Sequence, residues 1–353
     1  MTAPDRADSR LRAYGQFLVA LFYFFFVTAL AQHAARALAN DQWSPLVEKA
    51  LLAFLLVFGY AGFGFTLNRR QHSIADQGLP ARPGWTREFA LGLSIGWGIA
   101  VVCVLAMALF GGIVISFSLA IANWGWLLAD GAWFALAALA VEVAFRGYAF
   151  QRFARATGSA GAVFGFSLLY AFLESMRPGA TRFSAVVAFI LSVVLSTAYL
   201  RTRALWVGWG LNFGWQGTRA LLFGLAVRGN SSNSPIVQGD PTGPFWLTGG
   251  GYGLDASWLA LAVLLLALPV LYRATRDLDF RYNAPELVPA GIPVDLDAAA
   301  RRQHEAAMGA AEPAPPALVQ IAGVADPPVL PAPATNPEPA SEYPQPETGN
   351  ESH

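Results

Sequence analysis

The chain has 353 residues, of which 55% are hydrophobic and 13% are charged, about half the charged share of an average soluble domain. This is the composition of a membrane protein. The formal net charge at pH 7 is zero, so the sequence indicates no nucleic-acid partner. The single cysteine, Cys103, rules out an intramolecular disulfide and a cysteine-based zinc cage.

Apolar segments recur along the first three quarters of the chain. A membrane-spanning helix takes about 20 predominantly apolar residues, and eight segments reach or approach that length. The predicted fold class is therefore all-α, a polytopic membrane bundle of about eight transmembrane helices. The segments are 15–36, 48–67, 88–110, 131–150, 158–174, 184–200, 204–227 and 256–272.

Loop arginines predict the orientation, because cytoplasmic loops carry the excess of basic residues. If the helices alternate, the opposite side of the membrane receives only Arg36, Arg177, Arg182 and Arg228. We therefore expect a multi-pass protein of a bacterial-type inner membrane, in contact with membrane lipid, with both termini in the cytoplasm. The residues on the arginine-rich side are Arg6, Arg10, Arg12, Arg69, Arg70, Arg82, Arg87, Arg152, Arg155, Arg201, Arg203, Arg273 and Arg276.

The first segment has a second interpretation. Ala29-Leu30-Ala31 follows an apolar run with a positively charged start, which is the pattern of a signal-peptidase site. The apolar stretch continues beyond that point and is long enough to span. Cleavage would leave the orientation of the other seven segments unchanged.

The end of the chain differs in composition, since residues 285–346 hold 14 of the 23 prolines. Such a segment cannot bury enough apolar surface to offset its ordering entropy. The predicted organisation is a cytoplasmic N-terminus at 1–14, a transmembrane bundle at 15–276 and a Pro/Ala-rich, largely disordered cytoplasmic tail at 277–353.

Two glycine pairs have the small-xxx-small spacing that lets membrane helices approach closely. Gly92 and Gly96 lie in the third segment, and Gly210 and Gly214 in the seventh. Packing inside one bundle explains both pairs, and dimerisation is the alternative.

Ionisable side chains inside the predicted spans are the candidates for function, because they are costly in a bilayer and are usually paired or functional. Glu142 and Arg146 are four residues apart in the fourth segment, so they share one helix face and can form an ion pair. Glu174 lies near the end of the fifth segment. Asn212 and Gln216 share a face of the seventh. The alternative to a functional site is that these polar side chains only form contacts that hold neighbouring helices together.

These three segments resemble motifs of the CPBP (CAAX-processing and bacteriocin-processing, Abi) family of intramembrane proteases. The first family motif has two adjacent glutamates followed three residues later by Phe-Arg-Gly, and Glu142, Phe145, Arg146 and Gly147 match it. Val141 stands where the family has the glutamate that activates the attacking water. A valine cannot accept a proton.

The other two motifs match in their spacing and differ in their ligands. In the second, Tyr170 holds the aromatic place and Glu174 the place of a metal-binding histidine. In the third, which begins at Leu205-Trp206, Asn212 replaces the second histidine and Gln216 the asparagine that supports the oxyanion. The resemblance covers about 80–260, and it implies an eroded metalloprotease site.

No cofactor is expected from this donor set. The four histidines are His33, His72, His304 and His353, and none lies in the family-like core. Zinc in proteins is usually bound by nitrogen and sulfur. Carboxylate and amide oxygens would suit only an oxygen-ligated cation such as magnesium, calcium or manganese.

The resemblance leaves two functional hypotheses. The favoured one is a pseudoenzyme that binds a membrane protein, peptide or lipid-linked segment in the helix-bundle cavity. The alternative is a divergent intramembrane endopeptidase in which Glu142 and Glu174 act as base and acid, since two carboxylates with separated pKa values can do so without metal. Arg146, Asn212 and Gln216 complete the predicted site in both, and all five side chains are expected to line one buried polar cavity between the fourth, fifth and seventh segments.

The orientation is tested with reporter fusions placed after Arg70 and after Tyr272. Both should report cytoplasm, because both positions lie on the arginine-rich side. A periplasmic signal at either position would contradict the predicted topology.

Overall fold

The computed structural model describes residues 3–69, 73–110, 112–230 and 236–283, together with His304. Helices account for most of this part of the chain. They are α1 (Ala3–Leu38), α2 (Ser44–Asn68), α3 (Ser73–Asp76), α4 (Trp85–Leu109), α5 (Ala122–Arg146), α6 (Tyr148–Thr157), α7 (Ser159–Ser175), α8 (Arg182–Thr202), α9 (Trp206–Gly217), α10 (Phe245–Thr248), α11 (Trp258–Ala274) and α12 (Arg276–Asn283).

The predicted class, a polytopic helical membrane protein, is confirmed. Each predicted segment falls on a helix of the structure. Within the described ranges, five helical stretches are long and apolar enough to cross a membrane, namely Ser9–Leu38, Ser44–Asn68, Trp85–Leu109, Asn123–Thr157 (α5 with α6) and Arg182–Thr202.

The fifth, seventh and eighth predicted segments are not single long helices. The fifth forms α7, which is apolar but 17 residues long. The eighth forms α11, which together with α12 makes a pair bent by 57°. The seventh, predicted over 204–227, is helical only to Leu222, because α9 passes into a π turn at Thr218–Leu222 and the chain then leaves the helix. Gly224, with φ of 61°, adopts a conformation that favours glycine.

The fourth predicted segment is divided by Gly147 into α5 and α6. A Cβ atom at this position would lie 2.3 Å from the carbonyl oxygen of Val143, so only glycine fits the junction. The glycine of the Phe-Arg-Gly motif therefore ends α5 immediately after Arg146.

Helices α4 and α9 cross at close range through the two predicted glycine pairs. A Cβ atom on Gly96 would lie 2.2 Å from the carbonyl oxygen of Leu211, and one on Gly210 would lie 2.1 Å from that of Phe89. Gly92 and Gly214 face the same crossing. The small-residue spacing thus serves packing inside one bundle, which places α9 at its centre.

A short antiparallel ribbon was not predicted from the sequence. Strand β1 (Ile113–Phe117) pairs with β2 (Val237–Pro241), with Ile115 opposite Gly239. The strands are five residues each, and their paired residues are 120 or more positions apart in the chain, so the sequence contains no local hairpin signal for them.

The predicted disordered tail lies largely outside the described residues. Its first part is helical, since Arg276–Asn283 form α12. This helix is held against α8, where Arg201 contacts Asp279 at 3.1 Å and the Asn283 amide donates to the Arg201 carbonyl oxygen at 2.9 Å.

The α4–α9 crossing is tested by Gly210→Ala, with Gly98→Ala on the outer side of α4 as control. The added methyl group at Gly210 collides with backbone and should lower the free energy of unfolding by about 1–3 kcal/mol. At Gly98 nothing lies within 4 Å of the new Cβ, so no loss is expected. Thermal unfolding in lipid measures both. Equal effects would contradict the described packing.

Candidate functional site

The Arg146 side chain is fully buried and forms bonds to two helices. Its Nη1 lies 3.4 Å from Glu142 Oε1, one turn earlier on α5. Its Nη2 donates to the hydroxyl and the carbonyl oxygen of Ser192, at 2.8 and 3.1 Å, and Nε lies 3.4 Å from Ser196 Oγ. Both serines are on α8, so one guanidinium group joins α5 to α8 in the apolar interior.

The Glu142 carboxylate is also fully buried and connects α5 to α9. Oε1 accepts from Asn212 Nδ2 at 3.3 Å, in addition to its contact with Arg146. Asn212 Oδ1 in turn accepts a hydrogen bond from Gln216 Nε2. The result is a continuous chain of polar side chains that begins at the two serines of α8, passes through α5 and ends at Gln216 of α9.

The second carboxylate oxygen of Glu142 differs from the first. Oε2 is buried and has no hydrogen-bond partner within the described ranges. It faces Gly208, where a Cβ atom would lie only 2.7 Å away. The absence of a side chain at Gly208 therefore makes room for the carboxylate between α5 and α9.

Glu174 belongs to a different cluster, at the end of α7. Its Oε2 accepts from Arg177 Nε at 3.1 Å, and its Oε1 accepts from the Tyr252 hydroxyl at 2.7 Å. Arg228 Nε lies 3.5 Å from the same Oε1, and Arg228 Nη2 donates to the Tyr170 hydroxyl. Two cations and one phenol thus surround this carboxylate.

A buried ion pair lies next to that cluster and contacts it through Arg228. Arg219 binds Asp255 with two hydrogen bonds, at 3.0 and 3.1 Å, and its guanidinium stacks 3.7 Å from the Trp215 ring centroid. Asp255 also accepts from the backbone N–H of Arg228 at 3.2 Å. Burial by itself raises the pKa of the Asp255 carboxyl, but Arg219 and Arg228 outweigh it and hold the pKa below its usual value.

One cavity of about 460 Å³ lies between α1, α2, α5, α7 and the end of α9. Its wall includes Val141, Glu174 and Gln216, together with Arg177 and Arg228. Glu142, Arg146 and Asn212 do not line it, since they are buried behind the wall with no exposed surface.

The structure thus divides the five predicted site residues. Glu142, Arg146, Asn212 and Gln216 form one hydrogen-bonded chain, and Glu174 sits in the arginine cluster; only Gln216 and Glu174 face the cavity. The expectation that all five would line one cavity between the fourth, fifth and seventh spans is not met, because the ion pair turns inward to the serines of α8.

The sequence interpretation missed several of these partners. Ser192 and Ser196 are four apart in a long apolar helix, and that spacing is the signal that could have identified them. Asp255 is a lone acid between a glycine run and an apolar span. Its partner Arg219 is 36 positions away, and nothing local links the two.

The family comparison supports the motif assignment. Residues 123–218 match the family described as type II CAAX prenyl endopeptidase Rce1-like, and this range contains all five predicted site residues. The resemblance to the CPBP family is confirmed over that stretch, and the membrane-spanning helices indicate a multi-pass membrane protein. Among curated proteins and solved structures there is no significant match.

The metal site that the family resemblance implies does not fit the side chains present. Glu174 uses both oxygens toward Arg177, Tyr252 and Arg228. Asn212 uses its carbonyl oxygen toward Gln216 and its amide toward Glu142. Guanidinium groups already neutralise both carboxylates, so a divalent cation would meet positive charge at short range. Among the described residues, no group of three or more His, Cys, Asp or Glu is placed to hold a metal.

The buried Arg219–Asp255 pair is tested by Asp255→Asn, with the exposed Asp240→Asn of β2 as control. Removing one charge leaves Arg219 uncompensated and should cost about 3–5 kcal/mol of unfolding free energy. Because the pKa of Asp255 is lowered, its stabilisation is fully present above the usual aspartate pKa and is lost as pH falls through the lowered value. Unfolding measured at neutral pH should show the loss for Asp255→Asn alone.

Proposed function

We propose, from the Rce1-like character of residues 123–218, that the protein binds a membrane protein or a lipid-linked segment in the cavity and does not perform metal-dependent peptide hydrolysis. The observation that carries this proposal is the valine at position 141. Its side chain lines the cavity at the motif position where the family has the water-activating glutamate, and it cannot accept a proton.

The hydrogen-bond partners of the remaining motif residues support the same function. A metalloprotease needs ligands that are free to hold the cation and a water beside it. Here Arg146 and Asn212 contact Glu142 Oε1, and the two arginines of the cluster contact Glu174. These bonds attach helices to one another, and they leave the cavity as a space for binding.

A second candidate is a metal-independent endopeptidase, and one observation favours it. Glu142 Oε2 has no partner within the described ranges, so it retains the capacity to take a proton. Glu174 faces the cavity and would act as the acid. Against this candidate, Glu142 is behind the wall and would reach a bound peptide only after Gln216 or α9 moved.

For localisation, we propose a bacterial-type inner membrane with both termini in the cytoplasm. Arginine asymmetry supports this orientation. In that orientation the ends of α1 and α7 lie on the non-cytoplasmic side, and with them the charged mouth of the cavity, formed by Glu174, Arg177 and Arg228.

The proposed function predicts that purified protein holds no stoichiometric zinc and does not cleave membrane-peptide substrates. Metal analysis and a cleavage assay in lipid are the measurements. Cleavage by the unmodified protein that Glu142→Gln abolishes, while Glu48→Gln on the far wall of the cavity leaves it intact, would establish the endopeptidase and refute the binding role.

A gain-of-function variant tests the motif assignment separately. Val141→Glu, Glu174→His, Asn212→His and Gln216→Asn made together restore the family's residue types at the four altered positions. If those positions correspond to the family site, the quadruple variant should bind one zinc ion per chain. The matched control keeps Val141→Glu and Gln216→Asn but retains Glu174 and Asn212, and it should bind none. Equal zinc content in the two variants would refute the assignment.

A further inference from the structure

The mouth of the cavity carries more positive charge than its acids neutralise. Arg177 and Arg228 both contact the single carboxylate of Glu174. Behind them, Arg219 is matched by Asp255. Across the cavity, Lys49 is matched by Glu48 at 2.6 Å. In this cluster three arginines face two carboxylates, so one positive charge is left over.

The excess charge has donors available for a ligand. A guanidinium group has five N–H donors. Arg177 uses Nε toward Glu174, and Arg228 uses Nη2 toward Tyr170 and Nε toward Glu174. Three nitrogens remain, namely Nη1 and Nη2 of Arg177 and Nη1 of Arg228. In the part of the chain that the structure describes, none of them forms a hydrogen bond or a salt bridge. Both side chains line the cavity.

The rest of the wall is mostly apolar. Phe24, Leu52, Val141, Phe145 and Leu173 line it, and they come from four different helices. Such a wall suits a hydrocarbon chain, because burying apolar surface is favourable without any directional partner. A polypeptide would need partners for its backbone N–H and C=O groups, and the stretch of wall formed by Val141, Phe145 and Leu173 provides none from its side chains.

We propose that this cavity binds an anionic amphiphile with one hydrocarbon chain, whose carboxylate or phosphate head group contacts Arg177 and Arg228 and whose chain lies along Val141, Phe145 and Leu173. Arginine recognises both head groups through paired N–H donors. A cavity of about 460 Å³ is of the size that holds one ligand, which favours one chain over two. This inference rests on the proposed binding role and narrows it to the lipid class.

Equilibrium binding to the full chain in nanodiscs of zwitterionic lipid tests the proposal, with empty nanodiscs subtracted. The probes are dodecanoate, dodecyl phosphate, dodecanol and acetate, at alkaline pH. Dodecanoate or dodecyl phosphate should saturate at one per chain, and their comparison identifies the preferred head group. Dodecanol should bind more weakly because it lacks the charge, and acetate because it lacks the chain.

Variants separate the head-group contacts from general effects of charge. Arg177→Gln with Arg228→Gln should weaken binding of the anionic probe roughly tenfold or more. Arg182→Gln is the matched control, because Arg182 is exposed at the start of α8, near Arg177 in the chain and outside the cavity wall, and it should leave the affinity unchanged. Should the double variant fail to fold, Arg177→Gln alone replaces it, since that side chain is 48% exposed.

The chain contacts are tested by Leu173→Trp, which fills the apolar part of the cavity without changing any charge. It should abolish binding of dodecanoate. Equal affinity for dodecanol and dodecanoate, or an affinity unaffected by both the arginine and the Leu173 variants, would overturn the proposal. Either result could occur in a protein that holds no zinc and cleaves nothing, so failure here is distinct from failure of the proposed function.

Discussion

The buried contact between Glu142 and Arg146 is the constraint on which the site depends. A charged side chain inside a bilayer is stable only when another group satisfies it, and these two fully buried groups cannot complete their bonding within α5. Arg146 therefore reaches Ser192 on α8, and Glu142 reaches Asn212 on α9. One ion pair thereby fixes the relative position of three helices.

Glycine makes this arrangement sterically accessible. Gly147 ends α5 directly after Arg146, Gly208 leaves space for the Glu142 carboxylate, and the glycines between α4 and α9 let α9 enter the centre of the bundle. Inside a bilayer no hydrophobic force drives helices together, so they gain packing energy by approaching one another closely. The polar chain and the glycines thus act together, since a side chain at Gly208 would push α9 away from Glu142.

The same contacts pair both carboxylates with groups of the protein itself. In a metal site the cation offsets the negative charge of its carboxylate ligands. Here arginine side chains already neutralise Glu142 and Glu174. The carboxylates thus serve helix-to-helix attachment and shape the cavity mouth. The excess charge at that mouth comes from Arg177 and Arg228, which lie outside the altered motif positions.

The sequence predicted the helical class, the ion pair and the glycine crossing because each is encoded at short spacing: apolar runs, residues four apart, and small residues four apart. It did not predict that Glu174 would separate from Glu142, because that depends on Tyr252 and Arg228, which reach it from a distant loop. The β ribbon and the Arg219–Asp255 pair were missed for the same reason, since long-range contacts have no local pattern.

A double-mutant cycle on Glu142 and Arg146 tests the central claim most directly. Glu142→Gln and Arg146→Gln each leave one buried charge unsatisfied, whereas the double variant removes both charges. The loss of unfolding free energy in the double variant should therefore be smaller than the sum of the two single losses, with a coupling of about 1–3 kcal/mol. Strictly additive losses would mean that the two side chains do not neutralise each other and would contradict the account.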